Sequence, residues 1–178
     1  VSAWLKHYYP EAFYVGLLNS LPMGFYSPSQ LIQDAKQHKV DTLNFCVNAS
    51  NYDHTLQTKS EHTHALCIRM GLRLVKGLKK DSVECLIKHR PKAGYQNIAE
   101  IRQLGLPSSC LQALASANAF AQIAKDRYQA RWQLMDSVQE LPLFANTVDE
   151  TQEPSYIKQP SLFDNLVEDF ASTGLSLE

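Results

Sequence analysis

Residues 72–90 read LRLVKGLKKDSVECLIKHR, an alternating apolar run that passes through Val75-Lys76-Gly77-Leu78-Lys79-Lys80 into a helical pattern. Cations crowd this one glycine turn. From Arg69 to Lys92 stand eight basic residues (Arg69, Arg73, Lys76, Lys79, Lys80, Lys88, Arg90, Lys92) against two acids, Asp81 and Glu84. From Leu134 to Glu178 the balance inverts to nine acids and one base, Lys158. The formal charge of the whole chain is only −1, so a neutral total conceals a basic centre and an acidic tail.

A glycine between two short elements lets backbone N–H groups approach a phosphate, while lysines beside it neutralise charge and release counterions. Gly77 supplies the approach, and Lys76, Lys79 and Lys80 supply the charge. A helix beginning near Asp81 or Ser82 would aim its positive N-terminal dipole at the same phosphate. This is the logic of a helix–hairpin–helix module, which holds duplex DNA without reading its sequence. Gly105-Leu106-Pro107, between helical patterns that end at Leu104 and start at Ser108, is a second hairpin of the same kind. The competing reading is a solvated basic face beside a β-to-α turn, because Lys79 stands where the usual hairpin has a second glycine.

The remainder of the chain reads as mainly α with a small β element. At 178 residues, 44% hydrophobic and 20% charged, it is long enough for one ordinary domain or two small ones, with a packed core. Ala3–Leu18 has helical spacing divided by Pro10, and that spacing assigns Trp4, Tyr8 and Phe13 to the core rather than to a base-stacking platform. Ser27 caps a helix that opens on Pro28 and runs to about His38. Strands are expected at Thr42–Val47, His54–Gln57 and Ala65–Val75, the last broken or bulged at Gly71. Further helices follow at 82–89, 98–104 and 108–117. In 122–137, Tyr128, Trp132 and Met135 mark a packing face. Residues 138–160 have linker composition, and Asp164–Ala171 is a last short helix.

Cys46, Cys67, Cys85 and Cys110 fit no zinc or redox spacing and read as buried thiols in a reducing compartment. Glu61-His62-Thr63-His64 has an x-H-x-H look but no evident third ligand. No apolar run approaches the roughly 20 residues a bilayer span requires, and no signal peptide is present, so a cytoplasmic protein without a membrane partner is expected. Two tail segments, Glu140-Leu141-Pro142-Leu143-Phe144 and Gln159-Pro160-Ser161-Leu162-Phe163, end in Leu-Phe. Such pairs either anchor an extended peptide in a partner's pocket or tack the linker onto this protein's own surface. The first residues and the last read as cuts from a longer protein.

Trp4-Leu5-Lys6, Tyr9-Pro10-Glu11-Ala12-Phe13 and the run from Leu17 to Leu31 (LLNSLPMGFYSPSQL) closely resemble bacterial C-family DNA polymerases, the homologues of the polymerase III alpha subunit. Pro22–Gln30 resembles the error-prone, damage-inducible branch in particular. Val47-Asn48, Ser50, Asp53, the run Gly71–Gly77 and Thr173–Leu177 continue the likeness across the chain. The resemblance implies that residues 1–60 end the fingers domain and 61–137 form the helix–hairpin–helix region. It also implies that 138–163 are a linker with clamp-binding peptides, and that 164–178 lead toward an OB-fold.

The parent would extend primers across damaged templates by nucleotidyl transfer. Its catalytic carboxylates and magnesium ions would lie upstream in the palm, leaving this segment without a catalytic residue, metal or cofactor of its own. The implied partners are duplex primer–template DNA through Arg73, Lys76, Gly77, Lys79 and Lys80, the sliding clamp, and other translesion accessory proteins. The clamp contacts would be Leu141, Leu143 and Phe144, or Gln159, Leu162 and Phe163. Asn44, Cys46, Tyr52, Lys79 and Glu140 depart from the family pattern. Two alternatives stay open: a stand-alone helix–hairpin–helix adaptor, and a protein-docking segment whose basic face meets an acidic protein.

Overall fold

A computed structural model of the protein describes residues 2–22, 24, 26–60, 63–124, 126–135 and 161–175. Pro10 separates two helices, α1 (Ser2–Tyr8) and α2 (Pro10–Asn19), followed by α3 (Pro28–Gln37). Ser27 closes a full capping box on α3, accepting from the Gln30 backbone while the Gln30 side chain accepts from its own N–H. A three-stranded sheet of order β1-β3-β2 follows, built from β1 (Thr42–Leu43), β2 (Thr55–Ser60) and β3 (Thr63–Arg69). The β2–β3 pair is antiparallel, with Leu56 opposite Ile68, and β1 runs parallel to β3. The expected boundary between residues 60 and 61 falls inside that β2–β3 pair. Helices α4 (Lys80–Lys88), α5 (Ile98–Arg102), α6 (Ser108–Ser116), α7 (Arg127–Met135) and α8 (Leu162–Ser172) complete the described chain. The mainly α fold with a small β element is as the sequence indicates.

One apolar core runs through these elements. It gathers Tyr14 and Leu18 of α2, Ile32 and Ala35 of α3, Ile68 of β3, Leu86 of α4, Ile101 of α5, Leu114 of α6 and Leu175 beyond α8. Three sequence assignments need correction. Trp4 and Tyr8 are 57% and 60% exposed, and α1 buries no residue. Pro10 breaks the helical phase, so the spacing before it does not continue the core face of α2. Trp132 and Met135 are likewise exposed, because α7 begins at Arg127 and turns Arg127 and Ala130 inward. The third strand stops at Arg69 and residues Leu72–Leu74 form a 3-10 turn.

Gly71 explains that stop. A Cβ there would lie 2.4 Å from the Asp53 carbonyl carbon and 2.6 Å from the His54 nitrogen, so the chain can cross the 52–54 backbone only without a side chain. The Gly71 N–H donates to His54 Nδ1 at 3.0 Å. Asn19 in turn clamps His54 from both sides, donating to its carbonyl at 2.9 Å and accepting from its N–H at 2.8 Å. The end of α2, the start of β2 and the approach to the basic turn are thereby locked together.

Cys46, Cys67 and Cys110 are buried and all four cysteines are free, with Cys85 partly exposed. Glu61 and His62 lie outside the described residues. Among the described residues no group of three or more His, Cys, Asp or Glu could hold a metal, and no helix is long and apolar enough to cross a membrane.

Candidate nucleic-acid interface

The turn that joins the 3-10 segment to α4 is tight. Val75 accepts from the Leu78 N–H at 3.3 Å, and Gly77 sits at φ +81° with nothing within 4 Å of a Cβ position. Lys79, the residue in the usual second-glycine position, is the N-cap of α4 in extended conformation, φ −83° and ψ 146°. Lysine adopts that backbone freely, so the departure from the hairpin pattern carries no strain. The helix starts at Lys80, one or two residues before the expected caps Asp81 and Ser82.

The second turn repeats this geometry at the same spacing. Gly105 has φ +68°, again with open space around it. Pro107 is the N-cap of α6 at φ −54° and ψ 140°, and Ser108 takes the place of Lys80. In both units the order is left-handed glycine, leucine, extended N-cap, helix. Leu78 and Leu106 both pack against the core, which fixes the turns from beneath and leaves the glycines outermost.

The N-terminal groups of α4 and α6 share another feature. Side chains cap α3, α5 and α8, through Ser27, Asn97 and Ser161. Neither α4 nor α6 has a side-chain cap; α2, which opens on Pro10, lacks one too. A helix start leaves N–H groups without intrahelical acceptors, and the dipole makes that end attractive to anions. Here both starts lie beside a bare glycine. Asp81 in the first turn of α4 opposes the effect, and Glu84 draws Lys80 to 3.7 Å.

The basic residues around the first turn divide by what they hold. The Arg73 guanidinium donates to the Asn19 and Leu21 carbonyls at 2.8 and 2.9 Å and to Asp53 at 3.0 Å. Lys76 Nζ donates to the carbonyls of Phe170 and Ala171, at 3.3 and 3.0 Å, and its backbone N–H donates to Ser172 at 2.9 Å. It is the C-terminal cap of α8, where a cation opposes the helix dipole. Arg69 and Arg90 are also tied to backbone carbonyls, of Asn44 and Ser50. Lys79, Lys80, Lys88 and Lys92 are exposed. Lys80 also lies 5.6 Å from the Tyr52 ring.

The sequence reading missed the arginines of α7 that hold α8. Arg127, 3% exposed, donates to Asp169 at 2.7 Å. Arg131 holds Glu168 with two bonds of 2.6 and 3.0 Å, which keeps that carboxyl below its ordinary range. Arginines in a helical pattern read as a solvated face, and their partners lie roughly forty positions away, so no local signal marks the pairing. Of the clamp candidates, Leu141, Leu143, Phe144 and Gln159 lie outside the described residues. Leu162 and Phe163 form the first turn of α8, and Phe163 is 71% exposed.

A bare glycine turn feeding an uncapped helix start, used twice over one core, defines a helix–hairpin–helix protein. The profile of the helix-hairpin-helix motif family matches residues 39–130, and the chain belongs to that family. Over 99% of its length it is 52% identical to an error-prone DNA polymerase of Vibrio vulnificus. It is 50% identical to the protein of that name from Vibrio campbellii and 44% identical to that from Idiomarina loihiensis, at the same coverage. The chain spans 17% of the length of these relatives.

Proposed function

We propose that these residues are the duplex-gripping segment, with the end of the fingers, of an error-prone DNA-directed DNA polymerase active in translesion synthesis and damage-induced mutagenesis. The observation that carries this reading is the pair of uncapped helix starts behind open glycines, with Lys79 and Lys80 exposed at the first. Each turn accepts one backbone phosphate through N–H groups, and the two lysines neutralise neighbouring phosphates. Arg73 and Lys76 act here by holding the turn in shape, through the backbone carbonyls they already bind. Because only backbone groups and charge are used, the grip is independent of base sequence.

In the longer protein the catalytic carboxylates and their magnesium ions belong to polypeptide outside this chain. Clamp tethering falls to Leu141, Leu143 and Phe144, with Gln159, Leu162 and Phe163 as the second candidate. The helical start at Leu162 favours the first, because a clamp pocket takes an extended peptide. Tethering would raise the effective concentration of the polymerase at the primer end.

The test is fluorescence anisotropy with a short labelled duplex from about 50 to 200 mM salt. Binding should weaken steeply with salt, and Lys79→Glu/Lys80→Glu should lower the slope of log K against log salt by about 2. Salt-independent binding, or a slope unmoved by the double variant, refutes the phosphate-grip reading.

A further inference from the structure

Helix α8 is docked by the face that a surface helix usually turns to water. Asn165, Glu168, Asp169 and Ser172, spaced i, i+3, i+4 and i+7, point to the body of the protein. Arg127 donates to the Asn165 carbonyl at 3.4 Å and to Asp169 at 2.7 Å, Arg131 holds Glu168, and Ser172 is 8% exposed. The opposite stripe has the same spacing and is apolar. Phe163, Leu166, Val167 and Phe170 are 71%, 39%, 50% and 50% exposed.

Single exposed apolar side chains are ordinary, but a continuous stripe along one helix face marks an interaction surface. Beside it an open groove between α3 and α8 is lined by Ile32, Lys36, Leu166, Phe170 and Leu175. The stripe is held firmly, because Lys76 caps the helix and Leu175, 2% exposed, is seated in the core just beyond it.

The relatives are about six times as long as this chain, which spans 17% of each, so most of the polypeptide they correspond to lies outside these residues. We infer that in the full-length protein the Phe163–Phe170 stripe packs against an apolar surface from polypeptide outside residues 1–178. The α3–α8 groove receives one of that surface's side chains. The stripe is thus an interface between modules of a single chain, on a helix whose other face is ion-paired to the DNA-gripping unit. This rests on the reading of the chain as a segment of a longer polymerase.

Cysteine accessibility in the full-length protein tests it. Val167→Cys and, at an exposed site on α6, Gln112→Cys are made separately, and maleimide modification of each is followed by peptide mass mapping. Val167→Cys should react at least about tenfold more slowly than Gln112→Cys, as expected for a site reached only through local opening, at every protein concentration. Phe170→Cys provides a second probe should Val167→Cys fold poorly.

Equal rates overturn the proposal. So does protection that appears only at high protein concentration, which means a second copy covers the stripe, or only on adding a separate protein. An intact mass close to that of 178 residues would instead overturn the segment reading beneath it, and the two failures are told apart by that mass.

Discussion

His54 gives the most direct check on how the basic turn is supported. Its ring is 2% exposed, its Nδ1 accepts from Gly71, and its Nε2 has no hydrogen-bond partner among the described residues. Burial, aided by the nearby Arg73 charge, lowers its pKa from 6.5 to about 4. The native state therefore refuses a proton that the unfolded chain accepts. Stability from this source is complete above pH 6.5 and is lost as the pH falls from 6.5 toward 4. The full loss, at about 1.36 kcal/mol per pH unit, is about 3 kcal/mol. By pH 5 about 2 kcal/mol of it has gone.

His54→Asn keeps an acceptor near the Nδ1 position and removes the titration. Urea unfolding of both proteins at pH 7.5, 6 and 5 isolates the effect as the difference between their pH slopes. The wild type should lose about 2 kcal/mol more than His54→Asn between pH 7.5 and 5. Parallel slopes would show that the imidazole is not held neutral by burial.

Three further perturbations separate fold from grip. Gly71→Ala drives a methyl into the 53–54 backbone at 2.4–2.6 Å and should cost more than about 3 kcal/mol, read as a collapse in Tm. Gly77→Ala meets open space and pays only left-handed strain, about 1–2 kcal/mol; circular dichroism should show a native fold while duplex affinity drops severalfold. Asp169→Asn strands the buried Arg127 guanidinium and should destabilise by about 3–5 kcal/mol, with loss of amide-exchange protection concentrated in α8.

Where the sequence predicted well, the signal was local chemistry. Ser27 before Pro28 marked the N-cap of α3, and Gly77 and Gly105 marked the two turns that the chain makes. Where it failed, long-range pairing decided the outcome. The rotation of α7 follows a buried bond between Arg127 and Asp169, and helical spacing then points Trp132 outward although that residue is apolar. Trp4 and Tyr8 failed for another reason: periodicity was carried across Pro10, past which it has no meaning. Gly71 was legible as a break, but the cause, close passage over residues 52–54, joins segments that no window of sequence spans.

The division of labour among the cations follows from the same physics. Arginine, always charged and planar, suits the sites at residues 69, 73 and 90, where its guanidinium reaches backbone carbonyls. Lysine keeps its charge on a flexible stem and loses less by remaining hydrated, so Lys79, Lys80, Lys88 and Lys92 stay outside. Lys76 is exposed as well, but it differs in donating to the carbonyl oxygens that end α8. Two of the three Nζ–H groups of Lys76 are engaged in that cap, so a DNA phosphate drawing on this ammonium competes with it, and α8 is held independently by Arg127 and Arg131. The exchange therefore returns little net attraction while uncapping a helix. Neutralising Lys76 with Lys76→Met should accordingly loosen α8 and leave the salt slope of DNA binding within about half a unit of wild type, whereas a fall of a full unit would place Lys76 among the phosphate contacts.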